Sequence, residues 1–330
     1  MIRRLVRVIV VVLLGVAIGV MAYVAFLMMT NPRPRDAVGW TLLAPLPSGR
    51  GETAAAVADG RLYVIGGLTG LGGQATGEVS AYDPALDAWE SAPPLPAARH
   101  HAAAAGLDGV VYAGGGAAAD GTPQPTLWAL DPATEAWREL APMPEPRLGH
   151  RIVAIGDRLY VVGGVGVTAK VLAYDPATDA WTTGAPIPTP RNHLAAVVVE
   201  GEIWAIGGRS GSQIHTRVDI YDTSTDSWRD GPLLPEATSG ASEGVVDGVI
   251  FVSGGEDPSG AGGVIDRHWM LDTRSETTRW EPLSPPPLPV HGAHGAALDG
   301  RFLIVGGALR QGAFSRLSWT ISAQAYRPQL

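Results

Sequence analysis

The sequence predicts an all-β fold, a propeller of six four-stranded blades, preceded by one membrane-spanning helix. Three observations carry this. Six Trp residues recur at positions 40, 89, 137, 181, 228 and 280, at intervals of 49, 48, 44, 47 and 52. A Gly-Gly pair ends 27 residues after each of them, at Gly66-Gly67, Gly115-Gly116, Gly163-Gly164, Gly207-Gly208, Gly254-Gly255 and Gly306-Gly307. Upstream of the first Trp, residues 8–29 form a run of 22 uncharged, mostly apolar residues.

That run is the first element. As a helix it would cover about 33 Å at 1.5 Å per residue, matching a hydrocarbon core of ~30 Å. A cleaved signal peptide is the alternative, but its apolar region is shorter, and Ala22 and Ala25 offer only poor cleavage sites. The expectation is a retained anchor over 8–29, behind a cytoplasmic tail of residues 1–7. Arg3, Arg4 and Arg7 precede the run, whereas Arg33 and Arg35 follow it. This bias favours a cytoplasmic N-terminus and an extracytoplasmic propeller, periplasmic or at the cell surface. Gly15 and Gly19 are spaced to allow a weak anchor-mediated dimer. Residues 30–39 read as a linker, and 40–330 as the propeller.

Each repeat then reads as four strands. An Ala/Val-rich inner strand turns at a pair such as Asp59-Gly60 or Asp108-Gly109, which accepts the positive φ of a tight hairpin. A strongly apolar second strand, "LYVIGG" in the first repeat, ends in the Gly pair. After a variable loop, a third strand reaches "YDPALDAW" or "YDPATDAW", where Asp and Pro make the turn and Trp opens the outer strand. Four antiparallel strands repeating every 40–50 residues cannot bury both faces alone, so they pack side by side around an axis. The last repeat, "SRLSWTISAQAYRPQL", has no closing Trp strand, whereas "WTLLAPLP" at 40–47 stands before any partner. The leading segment is therefore expected to pair with a strand near 316–325 and close the ring, leaving no open sheet edge.

The Gly-Gly ending, the aromatic-Asp turn and the Trp at this spacing resemble the kelch repeat over residues 40–326. Inner-to-second and third-to-outer turns share one face, here called lower. The variable loops, such as 68–78 and 256–268, lie on the upper face, where recognition usually sits. Trp40 begins its strand at the lower face, so the linker is expected to leave there, pointing the upper face away from the bilayer.

Composition narrows the partners. The chain has no Cys, which excludes disulfides, thiolate nucleophiles and Cys-ligated metal. Residues 1–39 carry a net charge of +4 within a whole-chain −8, leaving the rest at −12. So acidic a body is a poor partner for nucleic acid. No cofactor is expected: "GGVGVTAK" at 163–170 imitates a phosphate loop but lies in blade register, with no helix to follow.

Arg50, Arg99, Arg147 and Arg191 stand ten residues after their Trp, at the entrance to the inner strand. Glu52, His101 and His193 follow two residues later, and His150 one further in the third repeat. An arc of planar guanidinium groups beside imidazoles suits an anionic ligand, and the kelch resemblance implies that Arg here lines a ligand pocket. The alternative is that each Arg ties its own turn to a neighbouring blade. Glu243 is a carboxylate in an otherwise apolar inner strand, with His294 in the next blade as a conceivable acid-base partner. No metal site is expected, because His100 and His101 are adjacent on an extended segment and should point to opposite sides. These residues support a membrane-tethered module whose upper face binds a protein, peptide or glycan with acidic groups. Resemblance to kelch-type sialic acid mutarotases implies an alternative, a sugar-acid isomerase using the Arg arc with Glu243 and His294.

Overall fold

The computed structural model describes residues 2–29, 32–165, 169–257, 263–310 and 319–328. Parts of the 163–170 and 256–268 loops, and residues 316–318 of the expected closing strand, lie outside the described residues. The chain divides into two units, residues 1–33 and 34–330.

The first unit is a helix, Ile2–Met29. Among the described residues, however, no helix is long and apolar enough to cross a membrane. The spanning anchor over 8–29 is therefore withdrawn. The single-pass topology, with its cytoplasmic tail and extracytoplasmic propeller, goes with it, and the Gly15–Gly19 dimer loses its premise.

The second unit holds six four-stranded antiparallel sheets. Blades one to five each run consecutively, over 54–92, 100–140, 148–186, 195–230 and 242–282. Blade six takes three strands from the C-terminal end, His294–Leu298, Arg301–Val305 and Ala323–Tyr326, and its outer strand, Trp40–Leu42, from the N-terminal side. The register pairs Trp40 with Tyr326 and Leu42 with Gln324. Six buried apolar clusters fill the six blade junctions, the last joining Leu62, Val64 and Tyr82 of blade one to Leu303, Val305 and Ala325 of blade six.

The Gly-Gly pair exists because the next blade arrives there. The second Gly of every pair donates its N–H to the backbone carbonyl ten residues after the following Trp, from Gly67 to Arg99 (2.8 Å) round to Gly307 to Arg50 (2.7 Å). The first Gly has positive φ throughout, and a Cβ there would sit 2.3–2.9 Å from that same carbonyl oxygen. Only glycine meets both conditions.

The Trp residues form a second circuit. Each indole Nε1 donates to the carbonyl four residues beyond the preceding blade's Trp: Trp89 to Ala44 at 2.8 Å, Trp137 to Pro93 at 2.7 Å, Trp181 to Ala141 at 2.8 Å. Trp228 to Ala185 at 3.2 Å and Trp280 to Pro232 at 2.9 Å continue it. In blades one, three and four the Asp before the Trp is left-handed, and it accepts from a Tyr hydroxyl and from the neighbouring blade's backbone. Asp87, with Tyr82 at 2.7 Å and Ala44 N at 2.9 Å, is the first example. The "YDPALDAW" phrase is thus an inter-blade clasp.

The segment preceding Trp40 departs from expectation. Gly39, at φ 80°, reverses the chain in a turn in which Trp40 N donates to Ala37 O at 3.2 Å. The chain therefore does not leave from the lower face but climbs the outer edge of blade five. There Arg35 N reaches Pro287 O at 3.1 Å, and its guanidinium pairs with Asp266. The exit from the lower face that would turn the upper face away from a bilayer is not seen.

Candidate functional site

The twelfth residue after each Trp is Glu52, His101, Gly149, His193, Gly240 or Gly292. All six are left-handed, with φ between 52° and 64°. Their backbones join head to tail around the axis. His101 N donates to Glu52 O at 2.9 Å, Glu52 N to Gly292 O at 2.6 Å, and Gly292 N to Gly240 O at 3.1 Å. Gly240 N to His193 O at 2.8 Å and His193 N to Gly149 O at 2.7 Å carry the belt on. Three positions are the glycine such a backbone favours. The other three hold side chains there at a cost on the order of 1 kcal/mol each.

Those three side chains converge. His101 Nε2 lies 3.3 Å from Glu52 Oε2, and the His101 and His193 rings meet edge to face at 5.1 Å. One donor atom from each of Glu52, His101 and His193 lies within 4.8 Å of the other two. The glycines make room for them: a Cβ on Gly292 would fall 2.5 Å from Glu52 Oε1, and one on Gly149 2.9 Å from His193 Nδ1. Left-handed backbone at His101 also undoes the alternation that set His100 and His101 on opposite sides. Their Nδ1 atoms are 2.5 Å apart.

A second tier surrounds this cluster. Arg209 joins Glu256 at 2.6 Å and His193 Nε2 at 3.2 Å. Asn192 Oδ1 lies 2.5 Å from His193 Nδ1. His291 turns Nδ1 towards Glu256 (3.5 Å) and Glu52 (3.9 Å), while its Nε2 meets Arg310 O at 2.9 Å. Burial pushes the Glu52 carboxyl up, but His101, His193, His291 and Arg209 outweigh it and hold it down at about 2. Burial and the neighbouring His101 drive His193 well below its usual value.

The Arg arc lies elsewhere. Arg50, Arg147 and Arg191 are buried, and their guanidinium groups are taken up within their own blades. Arg50 donates to Glu78 O and Ser80 Oγ, both at 2.8 Å. Arg147 donates to Gly163 O at 2.8 Å and Lys170 O at 2.7 Å, and pairs with Glu145. Arg191 donates to Gly207 O at 2.7 Å and Ala205 O at 3.0 Å, and pairs with Asp219 at 2.7 Å. Arg99 lies over the Trp128 ring at 4.9 Å. These groups pin the ends of the upper loops and do not gather at the axis. His150 is also apart, packed under Gly115 and Gly164, with burial first and Arg147 second lowering it to about 3.

Below the belt, Arg151 of blade three reaches Glu243 of blade five, Nε to Oε1 at 2.5 Å and Nη2 to Oε2 at 3.3 Å. The pair is buried, and burial raises the Glu243 carboxyl despite Arg151. His294 lines the same space, its buried Nε2 without a hydrogen-bond partner among the described residues. This bridge separates two chambers. The one at the belt, lined by Glu52, His101, His193, Arg151 and His294, measures about 20 Å³. The one beneath, lined by Ala55, Ala104, Val197, Glu243 and Ala296 among others, measures about 190 Å³.

Sequence reasoning missed Arg151, Arg209, Glu256 and His291. A signal was present for two pairs. Arg151 and Glu243 are charged residues in inner strands otherwise built of small and apolar residues, and Arg209 and Glu256 directly follow Gly pairs that elsewhere precede Leu68, Ala117, Val165 and Ala308.

Comparisons with known proteins agree with this architecture. The family described as the KLHDC2/KLHL20/DRC7 Kelch-repeats domain matches residues 28–164, and the Kelch motif matches 146–188 and 190–233. The chain is a kelch-repeat protein. Within that family it is 47% identical over 51 residues to Kelch-like protein 22 of Rattus norvegicus and of Homo sapiens, a stretch covering 16% of this chain and 8% of theirs. Kelch-like protein terF of Aspergillus terreus is 42% identical over 53 residues, 15% of this chain and 12% of that one. The matched stretches cover only a small fraction of these curated relatives. Among solved structures, the one titled "Structure of YjhT" superposes with a TM-score of 0.71 over 85% of this chain and 96% of that chain, at 18% identity. That likeness speaks to the fold.

Proposed function

We propose that this kelch propeller is a binding module whose upper face recognises a protein, peptide or glycan partner carrying acidic groups. The observation that carries the reading is the size of the axial chamber. At about 20 Å³ the space beside Glu52, His101 and His193 admits a water-sized occupant, whereas organic ligands occupy pockets of roughly 300–1,000 Å³. A partner is therefore held on the face and not inside the channel. Arg209, partly exposed and shared with Glu256, is the cation an incoming carboxylate meets at the mouth. The isomerase alternative is less well supported. The arc Arg residues are spent on backbone carbonyls, Glu243 is engaged by both ends of Arg151, and the lower chamber is lined mainly by apolar residues.

An array of acidic peptides and sialylated glycans tests the reading. Binding should be lost in Arg209→Ala and kept in Arg229→Ala, a lower-face control. A panel that shows no binding, or binding that Arg229→Ala abolishes, overturns it. Catalysed anomeric exchange of sialic acid that depends on Glu243 would establish the isomerase instead.

A further inference from the structure

We propose that Glu52, His101 and His193 form a two-histidine, one-carboxylate site on the propeller axis for a first-row divalent cation, with zinc the best fit. Six equivalent positions share one left-handed conformation, and glycine fills three of them. The three that keep side chains are the three whose donor atoms converge within 4.8 Å. Tetrahedral or octahedral coordination at about 2.1 Å needs donors roughly 3–3.5 Å apart, and the His101–Glu52 separation is already 3.3 Å. Small side-chain rotations close the rest.

The surroundings are those of a ligand set. The amide oxygen of Asn192 accepts from His193 Nδ1 and fixes the tautomer that leaves Nε2 as the donor to a metal, the outer-shell arrangement that metal-bound imidazoles show. His193 Nε2 meets Arg209, which is shared with Glu256 at 2.6 Å, so an ion displaces one contact of 3.2 Å. The carbonyl of Arg310 likewise accepts from His291 Nε2, and the Nδ1 faces Glu52 and Glu256. Glu52, Glu256 and Glu243 stand against Arg209 and Arg151, three carboxylates to two guanidinium groups. The chamber it lines, about 20 Å³, has the volume of one water or one monatomic ion. The unpartnered Nε2 of His294, on the same chamber, is placed to accept from a water held by the ion. Mixed imidazole and carboxylate donors favour zinc and its first-row neighbours over calcium or magnesium, which prefer all-oxygen sets. Three protein donors leave a position open for water or for an oxygen of a bound partner.

The test uses the full chain, stripped with a chelator and titrated with cobalt(II), then zinc. One equivalent of cobalt should bind with visible d–d absorption and be displaced by zinc, and zinc should raise the melting temperature. Glu52→Gly and His193→Gly should each weaken binding by at least about 100-fold. Both variants should still fold, because glycine is at ease in this backbone. His101→Asn, which also tolerates the left-handed region, gives the same readout should a glycine variant not fold. His215→Ala, outside the cluster, should bind as the parent does. Absence of stoichiometric binding by the parent chain overturns the proposal, as does undiminished binding in the double variant His101→Gly/His193→Gly.

Discussion

The indole of Trp40 donates a 2.9 Å hydrogen bond to the carbonyl of Ser284, and that contact completes the circuit of six Trp clasps. It joins blade six, through its borrowed outer strand, to blade five. The same ring packs against His268 at 5.1 Å and Tyr326 at 5.3 Å.

Trp40→Phe should therefore cost about 1 kcal/mol, the worth of one part-buried hydrogen bond. Trp40→Ala should cost about 3–5 kcal/mol, because it also empties the aromatic cluster. Thermal unfolding of the two variants side by side checks this. Equal losses would mean that the clasp, and not the packing, dominates the seam.

Arg191 and Asp219 are both buried and 2.7 Å apart. Arg191→Met should destabilise by about 3 kcal/mol or more, since it strips a fully buried carboxylate of one of its two Arg partners. Adding Asp219→Leu should restore a large part of the loss. A double-mutant cycle by chemical denaturation measures the coupling. If Arg191 instead served a ligand, Arg191→Met would leave stability unchanged and reduce binding.

Acid should loosen the fold through two buried imidazoles. Burial lowers His150 to about 3 and His268 to about 4. The unfolded chain takes up these protons near pH 6.5, whereas the folded one does not. Their contribution is thus intact above pH 6.5 and is lost as pH falls through 6.5 towards 3–4, at about 1.4 kcal/mol per pH unit for each. Denaturation midpoints from pH 7 to 4 should fall, and fall less steeply in His150→Phe than in the parent.

Gly306→Ala should destabilise by more than 2 kcal/mol. It forces a left-handed alanine, and its methyl would come 2.6 Å from the Arg50 carbonyl oxygen at the closing blade junction. Gly300→Ala, in an open hairpin turn, has nothing within 4 Å of the added methyl and should lose only the conformational part. Calorimetry on the pair separates close approach from backbone preference.

Much of the scaffold was legible because Trp, Gly-Gly and Asp-Gly are local answers to local geometry. An indole that must clasp its neighbour, or a turn that must take positive φ, admits few residue types. The missing outer strand of the last repeat and the spare one at Trp40 could be matched by simple counting. The site was harder to read. Arg50, Arg147 and Arg191 stand at the right distance from Trp to line a channel, but position along a strand does not say whether a long side chain turns inward or lies along its own blade. The carbonyls of Glu78, Gly163, Lys170 and Gly207 decide that. Strand alternation misplaces His101, because the backbone there is left-handed. Arg151 and Glu243 lie 92 residues apart and meet only when the ring is formed.

The pairing of Trp40 with Tyr326 also imposes an order on biogenesis. The first strand of the propeller to be synthesised is the partner of the last. Until Ala323–Tyr326 emerges, Trp40–Leu42 has nothing to zip against. Blades one to five are made of neighbours in the chain and can assemble as translation proceeds. The seam must wait, so its slow, long-range closure is expected to set the folding rate of the whole ring.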